Sequence, residues 1–159
     1  MFFRSLTFAL ILPIAALAQD DTSVGFGNGD FDRGAPVEVA ADNLEVDQNT
    51  GRAVLTGNVV IVQADLRLSA DVVVVDYTTT GPDRRIERMH ATGDVLIVAG
   101  EDAAEGAEAT YIIGTSEIMM SGDVVVTQAG NVLAGDELAV NLESGSGVVT
   151  GRVRSTLQP

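Results

Sequence analysis

From Pro36 onward, apolar residues recur at every second position in short runs. Ala53, Leu55, Gly57, Val59 and Ile61 share one parity; Met89, Ala91, Gly93, Val95 and Ile97 repeat it, and Ile118, Met120, Gly122, Val124 and Val126 repeat it again. The opposite parity carries Thr56 and Asn58, then His90, Thr92 and Asp94, then Ser121, Asp123 and Thr127. Alternation with period two predicts strands with one buried and one wet face. The runs are rich in Val, Ile, Leu and Thr, are broken by Gly, Asn or Asp, and contain no helical stripe, so the fold class is all-β.

The strands come as repeated hairpins. A first arm at Ala41-Asp42-Asn43-Leu44-Glu45-Val46 returns at Ala70-Asp71-Val72-Val73, at Ala107-Glu108-Ala109-Thr110 and at Gly135-Asp136-Glu137-Leu138. A second arm, Thr56-Gly57-Asn58-Val59, returns at Thr92-Gly93-Asp94-Val95, at Ser121-Gly122-Asp123-Val124 and, degraded, at Thr150-Gly151-Arg152-Val153. Acidic marks at 42, 71, 108 and 136 and glycines at 57, 93, 122 and 151 give a period of 28 or 29 residues except across one step. Such a period predicts a stacked β architecture. At the acidic mark the apolar parity slips by one: Val37, Val39 and Ala41 give way to Leu44 and Val46, and Leu66, Leu68 and Ala70 to Val73 and Val75. A slip of one implies a bulge that returns the chain to the same interior, and a glycine in the middle of each second arm marks a bend. Bent arms stacked by hairpins would enclose an apolar trough lined by Val37, Val39, Leu44, Val46, Leu55, Val59, Ile61, Leu66, Leu68, Val73 and Val75. The third first-arm is degenerate, with Glu108 at the mark, Glu105 and Thr110 at positions apolar elsewhere, and predicts a wetter side there.

The long step in the period falls at Tyr77–Arg85, expected to be a protruding loop followed by an arginine cluster of Arg84, Arg85 and Arg88 that is either solvated or meets phosphate or carboxylate groups. Residues 1–18 read as a cleaved signal peptide: Arg4 precedes an apolar run interrupted by Pro13 and ending in Ala16-Leu17-Ala18, too short for the roughly 20 residues of a spanning helix. Residues 19–35 are rich in Gly and Asp and predict a flexible leader. Within it Gly25–Asp32 looks like a lone calcium-binding Gly-Asp repeat, but one copy lacks the neighbouring turns that complete such a site. The main domain is expected over 36–154, with 155–159 a C-terminal tail.

Charge narrows the function further. The 159-residue chain has a formal net charge of -14, no lysine and no cysteine. Nucleic acid and polybasic adsorption to anionic membranes are thereby disfavoured, and no disulfide, thiolate or cysteine metal site exists. No catalytic constellation, cofactor motif or metal site emerges. His90, the single histidine, sits on the polar parity without a nucleophile beside it, and Asp42, Asp71 and Asp136 recur with the fold period, which suits backbone hydrogen bonding at bends.

The signal peptide, the run Pro-Val-Glu-Val-Ala-Ala-Asp-Asn-Leu-Glu-Val-Asp from Pro36, Leu-Thr-Gly-Asn-Val-Val-Ile-Val-Gln from Leu55 and Leu-Arg-Leu-Ser-Ala-Asp-Val-Val-Val-Val-Asp from Leu66 together resemble the LptA/OstA-like periplasmic lipopolysaccharide transport proteins, over roughly Pro36 to Arg154. The resemblance implies a single open β-jellyroll of V-shaped antiparallel strands, a periplasmic location, no catalysis and no cofactor. It also implies lipopolysaccharide as ligand, with acyl chains in the apolar interior, and head-to-tail homo-oligomers bridging an LptC-like inner-membrane and an LptD-like outer-membrane jellyroll domain. Terminal edge strands near Pro36–Val39 and Val148–Arg154 would serve that assembly by strand addition. A polymerising structural β-solenoid is the alternative from another class, and a secreted enzyme or calcium-dependent adhesin a third. A solenoid scaffold would be packed solid by its own side chains, whereas a conduit must accept lipid.

Overall fold

The computed structural model describes residues 21–159; the expected signal peptide lies outside the described residues. Eleven strands follow one another: β1 (Thr22–Gly25), β2 (Val37–Ala40), β3 (Asn43–Asp47), β4 (Arg52–Gln63), β5 (Leu66–Tyr77), β6 (Ile86–Ala99), β7 (Asp102–Ile112), β8 (Glu117–Gln128), β9 (Asn131–Asn141), β10 (Ser146–Thr150) and β11 (Arg154–Thr156). Among the described residues the one helical turn is a 3-10 turn at Ile113–Thr115. All strands join one antiparallel sheet in the order β1-β10-β9-β8-β7-β6-β5-β4-β2, with β3 on the other half of β4 and β11 on the other half of β9. The fold is therefore all-β and open, as the alternation predicts.

The bends arise where the repeats place them. Between Thr56 and Val59 of β4 the register to β5 shifts, so that Gly57 and Asn58 face the single residue Asp71. Both are left-handed, with φ of 80° and 47°, and the same pair of left-handed residues recurs at Gly93-Asp94, Gly122-Asp123 and Gly151-Arg152. Two successive residues with positive φ turn the strand sharply, and glycine takes the first position because a side chain there is strained. It would also collide: a Cβ on Gly57 would come within 3.0 Å of Asp42 Cβ. The acid opposite satisfies the bend, since Asp42 N–H donates to the Gly57 carbonyl at 2.9 Å and Asn58 Nδ2 to Asp42 Oδ2 at 2.8 Å.

The third copy corrects one alignment. Thr92 pairs with Glu108 and Val95 with Gly106, so the residue facing the Gly93-Asp94 bend is Ala107, not Glu108. The parity slip therefore falls one residue earlier than the acidic mark suggests. Glu105 and Glu108 point outward, and the inward residues are Ala104, Ala109 and Tyr111, all buried. That side of the interior is as apolar as the rest, and the expected wetter side is absent.

The leader is also different from expectation. Residues 22–25 form β1 on the outer edge of β10, with Thr22 opposite Val149 and Gly25 opposite Ser146. Phe26 is buried in the core and Val24 and Phe31 pack against it. Three apolar side chains spaced among glycines suffice to dock the segment, because Gly27 and Gly29, both at positive φ, let the backbone turn close against the hairpins. At the other end β11 takes Ser155 and Thr156 of the expected tail into the sheet, and Gln158 N–H donates to Asn131 Oδ1 at 2.9 Å.

Candidate functional site

The bends fold each long strand so that one parity faces inward from both halves. Leu55, Val59, Ile61, Leu66, Leu68, Val73 and Val75 of the expected trough are brought together there, none more than 3% exposed. They are joined by Met89, Ile97, Ile118, Met120 and Val126 from the later copies. The interior is filled by these side chains: it is an apolar core, closed as it stands, rather than an open trough.

The remaining four expected residues lie elsewhere on the same face. By register Val37 stands opposite Gln63, Val39 opposite Ile61, Leu44 opposite Leu55 and Val46 opposite Ala53. Directly paired residues share a face, so these side chains continue the inner surface. Among the described residues no strand lies beyond β2 and β3, however, and Val39 is 44% exposed and Leu44 and Val46 each 58%. They form an apolar lip at the open end of the roll. Alternation assigns the face of a residue but not what covers it, which is why the two groups are indistinguishable in the sequence.

Polar side chains also enter the interior. Gln63, two residues after Ile61 on the inner parity, is buried, and its amide donates to the carbonyls of Arg33 and Ala35 at 2.9 and 3.1 Å. Tyr111 is buried too and donates its hydroxyl to Gln63 Oε1 at 2.8 Å; burial, with a smaller effect of Glu143, pushes its phenol well above the ordinary value. Asp102 accepts from Gly27 N–H at 2.8 Å and from Gln128 Nε2 at 3.0 Å. None was singled out beforehand. The visible signal was a polar residue on an otherwise apolar parity at Gln63.

On the outer face, Arg52 and Arg88 flank Asp76 at 2.9 and 2.8 Å. They hold its carboxyl below the usual range, Arg88 more than Arg52. Arg84 reaches the Gln48 carbonyl at 3.3 Å, so the arginines after the loop mostly meet protein partners. His90 accepts or donates at Thr110 Oγ1, 3.0 Å away, and Glu108 lies 3.7 Å from its other nitrogen. Two shallow recesses of about 410 and 460 Å³ lie on this wet face around Met119, Ala139 and Val148, outside the core. Among the described residues no cluster of three or more His, Asp or Glu side chains is placed to hold a metal ion.

With that geometry in place, the comparisons with known proteins point one way. Residues 38–146 match the family described as LptA/(LptD N-terminal domain) LPS transport protein. The chain is 29% identical over 160 aligned positions to an uncharacterized protein of Rhizobium meliloti, covering 95% of this chain and 86% of that one. It is 25% identical over 119 positions to the lipopolysaccharide export system protein LptH of Pseudomonas aeruginosa, covering 70% and 66%. The crystal structure of LptH, the LptA-homologous periplasmic component of that organism's lipopolysaccharide transport device, superposes with a TM-score of 0.72 at 21% identity, over 80% of this chain and 99% of the other. That likeness is one of fold: the open antiparallel roll of bent strands.

Proposed function

Because the chain belongs to the family of LptA and LptD N-terminal-domain lipopolysaccharide transport proteins, we propose that it works in the periplasm as a bridge that shelters lipopolysaccharide acyl chains and passes them from the inner to the outer membrane. A member of this family is a transport protein, not an enzyme, and the proposed transfer needs no cofactor. The observation that carries the reading is the span of the match: residues 38–146 run from β2 into β10 and contain the bends at Gly57, Gly93 and Gly122.

Physical chemistry supports it. Sheltering an acyl chain is favourable by about 0.8 kcal/mol per methylene removed from water, and the inner face is predominantly aliphatic. The exposed lip of Val39, Leu44 and Val46 continues that face to the open end, where a following protomer or an LptC-like or LptD-like jellyroll domain would dock head to tail by strand addition. At the opposite edge β1 lies outermost, paired along β10, and β11 is the outermost strand on the other half of β9. A chain with 23 acidic residues and 9 basic ones leaves headgroup phosphates to scattered arginines or to divalent ions.

The closed core favours one competing reading, a polymerising β-solenoid with no lipid in it. Placing an aliphatic diazirine amino acid at Leu68 or Val73 and irradiating in cells separates the two. Adducts with lipopolysaccharide are expected; none from any inner position would leave the scaffold. Depleting the protein should likewise leave lipopolysaccharide at the inner membrane.

A further inference from the structure

Consecutive hairpin turns lie at opposite ends of the strands, and the bends bring the two rows of turns together. One row holds the connections after β4, β6 and β8; the other holds those after β7 and β9. The leader runs along the seam between them and touches both in alternation. Phe26 N–H donates to the Gly145 carbonyl in the second row at 2.9 Å, and Gly27 N–H to Asp102 in the first at 2.8 Å. Asn28 lies against Gly100 and reaches Asp65 at 3.5 Å, both in the first row. A Cβ on Gly29 would come within 3.2 Å of the Ser144 carbonyl oxygen in the second. Arg33 Nη1 then donates to the Gly114 carbonyl at 2.8 Å and pairs with Glu143 at 3.2 Å, while its own carbonyl accepts from Gln63. Beneath this strap, Phe26 is buried and the Phe31 ring meets Tyr111 edge-on with centroids 6.5 Å apart.

We propose that this seam is the lateral site through which an acyl chain reaches the interior, and that residues 26–35 are its built-in occupant, with Phe26 and Phe31 filling the space the chain takes. The inference rests on the conduit reading and adds to it the place of access and the element that must move. Three features make the strap the displaceable part. Its polar anchors are mostly single hydrogen bonds to turns, several of them exposed, whereas every neighbouring strand is held by a full ladder. Its apolar contribution is two aromatic side chains set in glycine-rich backbone. The core beneath is closed, so lipid can enter only if some element leaves. A ligand that binds the open form alone shifts the population toward it, and its apparent affinity falls by the fraction of molecules that are open.

The chain contains no cysteine, so the strap can be tied down selectively. Asn28→Cys with Asp65→Cys places two thiols on exposed, adjacent positions of strap and turn, to be joined by a bis-maleimide with a cleavable spacer. Purified lipopolysaccharide is the probe, and the readout is photo-adduct formation from an aliphatic diazirine at Leu68. The cross-linked protein is expected to form adducts at less than about a tenth of the rate found after the spacer is cleaved. Phe31→Ala, which removes the contact with Tyr111, is expected to raise the rate about threefold to tenfold. Equal rates before and after cleavage, with adducts in both, would overturn the strap while leaving the conduit standing. Absence of adducts in every form would overturn the conduit and the strap with it.

Discussion

Tyr111 and Gln63, 48 residues apart in sequence, meet inside the core through a 2.8 Å hydrogen bond from the phenol to the amide oxygen. Gln63 lies at the end of β4 beside one row of turns and Tyr111 near the end of β7 beside the other, so the bond spans the seam from within. Replacing Tyr111 by Phe leaves the Gln63 oxygen in an apolar interior without a donor, which costs about 1–3 kcal/mol. Gln63→Leu should cost more, because the Arg33 and Ala35 carbonyls then lose their donor as well. Urea midpoints check both. The same burial sets an alkaline limit. The folded-state value of Tyr111 is raised above its ordinary 10.0, so its contribution is complete below pH 10 and is lost as the pH climbs through and beyond that value. Tyr111→Phe should flatten that alkaline limb.

The register of the third copy can be tested by moving one acid. Ala107 occupies the place that Asp42, Asp71 and Asp136 hold at the other bends, facing Gly93-Asp94 on one side and Gly122 on the other. Ala107→Asp restores the repeat at an exposed site and should change stability by less than about 0.5 kcal/mol. Ala109→Asp, two residues on, puts a carboxylate on the inner face at 2% exposure and should cost several kcal/mol or prevent folding. If the order is reversed in thermal melts, with Ala107→Asp the costly substitution and Ala109→Asp the mild one, the slip lies where the acidic mark placed it, at Glu108.

Much of this roll was legible because its information is periodic and local. Parity along β4, β6 and β8 placed Leu55, Val59, Met89, Val95, Ile118 and Val124 inside, and a glycine in the middle of each arm located every bend. What escaped was non-local. Gly25 and Gln128, hydrogen-bonded at 3.2 Å, are 103 residues apart; nothing near Gly25 announces a partner, so a Gly- and Asp-rich stretch read as flexible. The third copy misled because Ala107-Glu108-Ala109 offers an acid next to the true bend residue. Whether Leu44 is covered as Leu55 is depends on a neighbouring strand that a single strand's pattern cannot contain.

The outer face carries an acid-sensitive element. Arg52, Asp76 and Arg88 are consecutive partners across β4, β5 and β6, with the carboxylate between two guanidinium groups. The folded-state value of Asp76 is lowered, so its stabilisation is complete above the ordinary 3.8 and is lost as the pH falls through the depressed value. Asp76→Asn should lower stability at pH 7 modestly, given the exposure of both arginines, and make it less steep below about pH 4, where the two proteins converge. Arg88 donates twice to Asp76 and Arg52 once, so Arg88→Ala should remove more than Arg52→Ala, each below about 1 kcal/mol given their exposure. Acid titrations of unfolding at low and high salt would expose the effect, and identical slopes in Asp76→Asn and the unmodified protein would remove it.

The lip at the open end makes the sharpest separation between stability and assembly. Leu44 and Leu55 are direct partners on one face, yet the first is 58% exposed and the second 3%. A lysine at Leu44 or Val46 keeps its charge in water, so the double substitution Leu44→Lys with Val46→Lys should leave the unfolding free energy within about 0.5 kcal/mol and the midpoint nearly unchanged. Charged side chains, lysine above all, are what blunt an edge against strand addition. Head-to-tail association should therefore weaken by at least about tenfold, since each buried aliphatic side chain contributes about 1.5–3 kcal/mol to such a contact. Ending the chain after Thr150 acts at the other edge: it deletes β11 and bares Val132–Ala134 of β9, and should give a similar loss. Sedimentation across a concentration series distinguishes the outcomes. Weakened association with an unchanged midpoint places the contact at this lip, whereas unchanged oligomers in both variants would mean that neither edge joins one protomer to the next.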